Sequence, residues 1–597
     1  MEGFPVAFRP ASNHLHQGRR LFMRASTQSS SLTPNRSFAA LAACALAVAV
    51  SSAYAQTPPP DAGQLLNETQ RGIDAQRLPQ VVPQAPASPD VQDASGATTV
   101  LVKTFKFEGA TLIKPEELAQ ALKNYTGKRL DFKSLRQAAD LVAETYRARG
   151  FLVRTYLPEQ DLTSGTVTIV IVEGRLGALR VERMDGARNI GDEAVKAYML
   201  ARQSTGEAVK PDDLQRGISL LNDLPGVSAS SLLEPGQKPG ESQVVVAVKD
   251  TPRYAGNVQL DNTGNKSTGE ERLTGALNIN SPLGFGDQIQ LLANKSQGSA
   301  FGRLAYSVPV GADGLRATAS VTRLDYDYTS LGTKFTGDAT TAGVRLSYPI
   351  VRSNEKNLNI ALSHDRKDFT NQIAAVEINN KNISVTGLTL SGDNIDGWMG
   401  GGITQVSASF SSGELDLSGN ADDFAADRTT GANRDGSFTK FNWTLQRLQR
   451  MTAADTLSLT LTGQNANRNL DSAEKLIASG PFAVRAYSSA EASADEGVVA
   501  SLEWQHRFDD RLQGVVFYDQ ASIRRDHSQF NGSFSPNTFD LAGAGVGLTW
   551  NEPGNWSLRS TVAWRLGENP IRNAVTGLDA DGTRRDPRVF VTFIKFF

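Results

Sequence analysis

Trp556-Ser-Leu-Arg-Ser-Thr-Val-Ala-Trp-Arg565 alternates with a period of two: Trp556, Leu558, Val562 and Trp564 fall on one face, Ser557, Arg559, Thr561 and Arg565 on the other. Successive side chains of a strand point to opposite faces, so this segment is a strand with one apolar, aromatic-ended face and one polar face. The same alternation runs through Leu457-Ser-Leu-Thr-Leu-Thr462 and through residues 498–505, where Val498, Ala500, Leu502 and Trp504 oppose Val499, Ser501, Glu503 and Gln505. It persists from Thr251 to the C-terminus, 346 residues (597 − 251), broken by turn clusters rich in Gly, Asn, Asp and Ser. A soluble sandwich turns its apolar faces inward over a small core and rarely reaches this length. A transmembrane barrel inverts the arrangement, with apolar side chains outward to lipid and polar ones lining the lumen. Lipid offers no partner to backbone N–H and C=O groups, so such a sheet must close. The candidate strands number about sixteen, near residues 254, 271, 286, 303, 315, 340, 357, 380, 402, 437, 455, 496, 511, 538, 555 and 587. The mean hydropathy of −0.31 is what half-polar strands produce.

Upstream of Thr251 the texture is different. Residues 99–175 read as strand, two helices (115–123 and 132–147) and two strands (151–157 and 166–173). Residues 176–251 repeat that order, with helices at 192–200 and 211–224. A repeated βααββ unit of about 75 residues implies an array of one supersecondary unit. Before it, residues 79–98 are rich in Pro, Ala, Gln and Ser and read as a flexible linker. Residues 61–78 are helix-permissive, but their apolar stripe (Ala62, Leu66, Ile73) is thin, so weak packing is expected. At the N-terminus the apolar run 38–50 follows Arg19, Arg20, Arg24 and Arg36 and precedes Ala53-Tyr-Ala55, the pattern of a secretory signal peptide over residues 1–55.

Composition excludes several functions. The chain holds 61 Lys+Arg against 63 Asp+Glu, so it has no polycationic surface for nucleic acid. Removal of residues 1–55 takes five basic and one acidic group, leaving 56 against 62 and a net charge of −6. The single cysteine, Cys44, leaves with the leader, and the exported chain then has no thiol, disulfide or thiolate metal site. Beyond the leader only His364, His506 and His527 remain. No Walker loop, H-E-x-x-H pair or nucleophile elbow occurs; no enzyme, cofactor or metal is expected. Gly543-Ala-Gly545-Val-Gly547 lies within a strand and serves close packing or bending, and the Asp325/Asp327 and Asp422/Asp423 pairs are read as solvated loops or strand ends.

Two short motifs lie late in the strand-rich part. Gly480-Pro-Phe-Ala-Val484-Arg485-Ala486-Tyr487, in a turn-rich segment at about 470–495, resembles the V-R-G-[YF] loop motif of the BamA-like superfamily. Phe517-Tyr-Asp519-Gln-Ala521 resembles its F-x-D-x-G strand motif. Ala486 and Ala521 stand where the motifs carry glycine. Alternation puts Val516 and Tyr518 toward lipid and Phe517 and Asp519 toward the lumen. The final strand, Arg588-Val-Phe-Val-Thr-Phe-Ile-Lys-Phe-Phe597, resembles the C-terminal signature of bacterial outer-membrane proteins, with Lys595 as a departure.

Taken with the repeated unit, the chain resembles the two-partner secretion transporters of the ShlB/FhaC/HecB hemolysin-secretion type. That resemblance implies an all-β transmembrane barrel of about 16 antiparallel strands (252–597), two α+β POTRA domains (99–175 and 176–251) and a plug helix (56–78). It implies that the loop folds into the barrel and docks Arg485 on Asp519. It further implies an outer-membrane pore of a Gram-negative bacterium with its POTRA domains in the periplasm. The partners so implied are a large hemolysin- or adhesin-like exoprotein with an N-terminal secretion domain, outer-membrane lipid, and the barrel-assembly machinery for insertion. A BamA-like assembly factor and a passive porin are the alternatives; a diffusion pore has no use for the βααββ pair.

Overall fold

The computed structural model describes residues 59–75, 99–238 and 240–597; the expected leader 1–55 and linker 79–98 lie outside them, as do both ends of the expected 56–78 helix. The C-terminal part is a closed barrel of sixteen strands, each antiparallel to its neighbours in chain order. It begins with Tyr254–Asp261 and ends with Arg588–Phe596, which pair with each other from Asp261↔Thr592 to Asn257↔Phe596. Phe597 extends this seam: its N–H donates to the Gly256 carbonyl at 3.1 Å and its carbonyl accepts from Gly256 N–H at 3.0 Å. A Cβ at Gly256 would lie 2.7 Å from the Phe597 ring, so the glycine makes room for the terminal aromatic.

The strands differ in length in a way that alternation does not reveal. Those near the seam have 8 to 11 residues, whereas Thr333–Arg352, Lys356–Ile373 and Val376–Asp396 have 20, 18 and 21. On Arg316–Ser330 the polarity reverses along the strand. Val321 faces outward in the lower part; above it Arg323, Asp325 and Asp327 face outward and Leu324, Tyr326 and Tyr328 are buried inward. The upper wall thus projects past the apolar band, and Asp325 and Asp327 are outward strand residues. Asp422 and Asp423, expected in a solvated loop or at a strand end, instead open the first turn of a helix, Ala421–Thr429, capped by Asn420.

Two α/β units hang below the opposite rim. The first has helices α1 (Pro115–Ala121) and α2 (Phe132–Arg147) over a three-stranded sheet, with Thr166–Glu173 central between Thr104–Glu108 and Val153–Tyr156. A two-stranded sheet, Thr99–Leu101 on Arg129–Asp131, was not anticipated; it splits the expected first strand. The second repeats the order with α3 (Asp192–Leu200) and α4 (Pro211–Asn222), and Glu241–Asp250 central between Arg175–Arg183 and Val227–Pro235. Each unit has its own apolar core. The second unit grips three rim turns: Ser281 Oγ donates to Asn189 O at 2.7 Å, Arg202 and Arg216 both pair with Asp313, and Arg352 pairs with Asp223 at 2.7 Å.

Glu173 ties the first unit together. Burial pushes its carboxyl up, but Thr111 Oγ1 and the N–H groups of Leu112 and Thr111, with the Tyr146 hydroxyl, hold it below the usual glutamate value. A pKa depressed in the folded state contributes stability above the unfolded value of about 4.3, lost as pH falls through the folded value. Melting followed by helical circular dichroism should therefore lose stability below that pH, and Glu173→Gln should flatten the loss. An identical acid profile in the variant would remove Glu173 from the account.

Candidate functional site

A further helix, the lumen helix (Ala62–Ala75), lies inside the barrel. The thin stripe predicts weak packing; the structure corrects that. Ala62, Leu65 and Leu66 are fully buried against Phe301, Tyr326, Tyr328, Phe335, Phe369 and Phe438, inward residues of the wall. The alternation rule treats the lumen as uniformly polar, and this aromatic seat is local. The helix start is also held by polar contacts: Asn371 Oδ1 accepts from Ala62 N–H at 2.9 Å, and Asp61 pairs with Lys381 at 3.2 Å and accepts from Ser472 Oγ at 2.8 Å.

The segment between Asp455–Ala466 and Glu496–Arg507 folds back into the lumen, stiffened by the pairing of Leu476–Ile477 with Ser493–Ala494. Its entry is fixed by charges on the wall. Asp471 meets Lys381 at 2.6 Å, with both side chains 1% exposed, and Glu474 lies between Lys367 (2.6 Å) and Lys440 (2.8 Å). One face of the lumen helix reads this loop at every fourth residue. A Cβ on Gly63 would lie 2.7 Å from Ser472 Oγ; Asn67 Nδ2 donates to Lys475 O at 2.8 Å; Arg71 donates to the carbonyls of Ile477 and Phe482. A helix presents residues i, i+4 and i+8 on one face, which is why these three fall together.

At the loop tip, Arg485 lies on the wall. Its Nε and Nη2 donate to the two Asp519 oxygens at 2.8 and 2.7 Å, a two-pronged contact that guanidinium geometry favours. Nη1 donates to Glu503 at 2.7 Å and Nη2 also to Ser501 Oγ at 3.1 Å, while the guanidinium carbon sits 3.4 Å from the Phe517 ring centre. Asp519, 0% exposed, accepts in addition from the Arg485 N–H (3.1 Å) and Ser501 Oγ (2.8 Å). Phe517 is buried too, while Val516 and Tyr518 are 50% and 41% exposed on the outer face. Val484, Ala486, Tyr487 and Ala521 are buried in the same cluster, and Tyr487 stacks under Arg565 at 4.8 Å.

Ladder register explains the layout: Ser501, Asp519 and Gly543 form one row across three strands, and Glu503, Phe517 and Gly545 the next. A Cβ on Gly543 would lie 2.7 Å from that of Ala486, and one on Gly545 would overlap the Phe517 ring. The glycine run is the flat floor on which the tip rests, and it accommodates the alanine that stands in for the motif glycine. Gly543→Val should lift the tip and expose 480–487 to protease while leaving the barrel heat-modifiable; an unchanged cleavage pattern would reject this fit. Sequence reasoning missed Glu503 and Glu491. Glu503 is visible only as the next lumen-facing residue after Ser501, and Glu491 accepts from Asn569 Nδ2 at 2.6 Å, tying the loop to segment 566–587. Among the described residues no group of three or more His, Cys, Asp or Glu is placed to hold a metal ion.

The family model for haemolysin secretion/activation protein ShlB/FhaC/HecB matches residues 240–550, and that for the ShlB-type POTRA domain matches 100–174. The heme/hemopexin transporter protein HuxB of Haemophilus influenzae (strain 86-028NP) is 29% identical over 476 residues, 77% of this chain and 82% of that one. The outer membrane transporter CdiB of Dickeya dadantii is 25% identical over 508 residues, 82% of this chain and 87% of that one. Among solved structures, CdiB from Escherichia coli superposes with a TM-score of 0.67 over 89% of this chain and 97% of that one; at 20% identity this likeness shows the fold alone.

Proposed function

The chain belongs to the haemolysin secretion/activation family ShlB/FhaC/HecB, and from that premise we propose how its parts move a partner across the outer membrane. The family's members are transporters that export large partner proteins, with the barrel in the outer membrane and the POTRA domains in the periplasm. The short-turn rim gripped by the α/β units is therefore the periplasmic mouth, and the inward loop enters from the cell surface.

The observation that carries the mechanism is the shared seat of the lumen helix and the inward loop, latched through Arg485 onto Asp519 and Glu503. The helix plugs the resting pore, and the loop tip presents a fixed wall along which an extended chain passes. Capture of the exoprotein's N-terminal secretion domain falls to the sheet edges of the two α/β units. A free edge strand offers main-chain donors and acceptors to an added strand. The Val227–Pro235 edge is favoured, because Leu232 and Leu233 are left 62% and 41% exposed there. No nucleotide step enters; folding of the emerging chain outside the cell supplies direction. The closing strand ending in Phe597 is proposed as the signal by which the barrel-assembly machinery inserts the protein.

Deleting the gene and restoring it on a plasmid tests the reading. One large protein should vanish from the culture supernatant and return on complementation. Leu232→Lys with Leu233→Lys should cut its release several-fold without lowering transporter levels. Normal release would move capture to another edge, and an unchanged supernatant after deletion would reject export altogether.

A further inference from the structure

The turn 397–401, Gly-Trp-Met-Gly-Gly, joins the eighth and ninth barrel strands at the periplasmic rim, next around from the turns that the second α/β unit grips. Its backbone is held in a costly shape. Met399 has φ 46°, a left-handed conformation that a non-glycine residue adopts only when its surroundings require it, and Gly400 and Gly401 follow with φ 93° and 97°. The 6%-exposed Gln449 places its Nε2 among the carbonyls of Trp398 (3.0 Å), Met399 (3.1 Å) and Gly401 (3.0 Å), which share its two N–H donors. Arg447 pairs with Asp396, donates to Thr404 Oγ1 at 2.8 Å, and sits 5.6 Å from the Trp398 ring centre. All this holds two large apolar side chains, Trp398 and Met399, 64% and 63% exposed.

Register shows which way the turn folds. The outward rows across these three strands run Leu388–Phe410–Phe441, then Leu390–Ala408–Trp443, then Gly392–Val406–Leu445, then Asn394–Thr404–Arg447. The apolar band therefore ends at Val406 and Leu445, and the first polar row beyond it contains Arg447. Since Arg447 and Gln449 are on the outward face, a turn tied to both lies against the outside of the barrel and not across its mouth. Trp398 and Met399 continue the lipid-facing band past its polar border, the depth at which indole rings settle between acyl chains and headgroups.

We propose that the turn 397–401 is a membrane anchor, with Trp398 and Met399 seated in the headgroup region of the periplasmic leaflet. It fixes the depth of a rim segment that the second α/β unit does not grip. The proposal rests on the barrel being in the outer membrane and is independent of what is exported, so it can fail while the export reading stands.

A single label tests it. Cys44 is the only cysteine, so Met399→Cys in a Cys44→Ser background gives one thiol. The full chain would carry an NBD fluorophore there, in phosphatidylethanolamine/phosphatidylcholine vesicles, with Ser164→Cys in the first α/β unit as the water-exposed control. The expected result is blue-shifted emission at 399, quenched more by lipids brominated near the headgroup than near the chain end. Emission like that of Ser164→Cys, indifferent to bromine, overturns the proposal. So does a blue shift that arises only when the exported partner is added, which would give the surface to the polypeptide. Should Met399→Cys fail to insert, Trp398→Cys carries the same readout.

Discussion

Arg485→Ala should abolish most secretion while leaving a heat-modifiable barrel in the outer membrane. The guanidinium is shared by Asp519, Glu503 and Ser501 and covers the Phe517 ring, so its removal leaves the buried Asp519 carboxylate without its cation and takes from Glu503 its direct ion-pair partner. Uncovering one partner of a buried pair costs roughly 3–5 kcal/mol, less where lumen water screens it. The barrel ladder makes no use of Arg485, so that loss falls on the loop, which detaches. Asp519→Ala should be milder, because Glu503 still holds Arg485 at 2.7 Å. The double variant should match Arg485→Ala, since both act on one contact. Arg485→Lys should not rescue, as an ammonium cannot reach Asp519, Glu503 and Ser501 from one plane. Exoprotein in the supernatant, against transporter in outer-membrane fractions, is the measurement. Additive losses, or wild-type export by Arg485→Ala, would take the latch out of the mechanism.

Much of the fold is legible in the amino-acid sequence alone. Fifteen of the sixteen strands begin within about four residues of where alternation puts them, because each crosses one apolar band and the dyad repeat is strict there; Thr333–Arg352 begins seven residues before the expected 340, in the upper wall beyond that band. The two βααββ units are readable from their spacing. What escapes is where that simple environment changes. Tyr326 and Tyr328 point inward and Asp325 and Asp327 outward because Arg316–Ser330 outgrows the lipid, and a period-two pattern survives this inversion unchanged in form. The aromatic seat of the lumen helix is hidden for the same reason. Within the candidate site, Arg485 and Asp519 are marked by motifs. Glu503, Lys381 and Glu491 are not, since a lumen-facing charge looks the same in sequence whether it meets water or a loop returning from far along the chain.

Those concealed interactions bear on the plug. Removing residues 57–78 should raise single-channel conductance in planar bilayers severalfold, with the barrel still folded. A sixteen-stranded barrel is wide enough to leave an aqueous channel. With the lumen helix in place, the wall beside it keeps a polar cavity of about 280 Å³, lined by Gln70, Asp74, Arg303, Arg345 and Asp365 among others. The helix is anchored more firmly than its apolar stripe implies, so spontaneous openings of the intact protein should be brief. Lys381 is the test of that anchoring, because its buried amine joins Asp61 of the plug segment to Asp471 of the loop. Lys381→Met should lengthen the openings while Lys381→Arg keeps them short. The effect on the loop should be reciprocal, since the bonds from Asn67 and Arg71 to the carbonyls of Ser472, Lys475 and Ile477 steady both elements at once. Deletion of the plug should accordingly make 471–482 more open to protease. Conductance that ignores the deletion would put the helix outside the lumen, and a loop indifferent to it would mean that the two elements open independently.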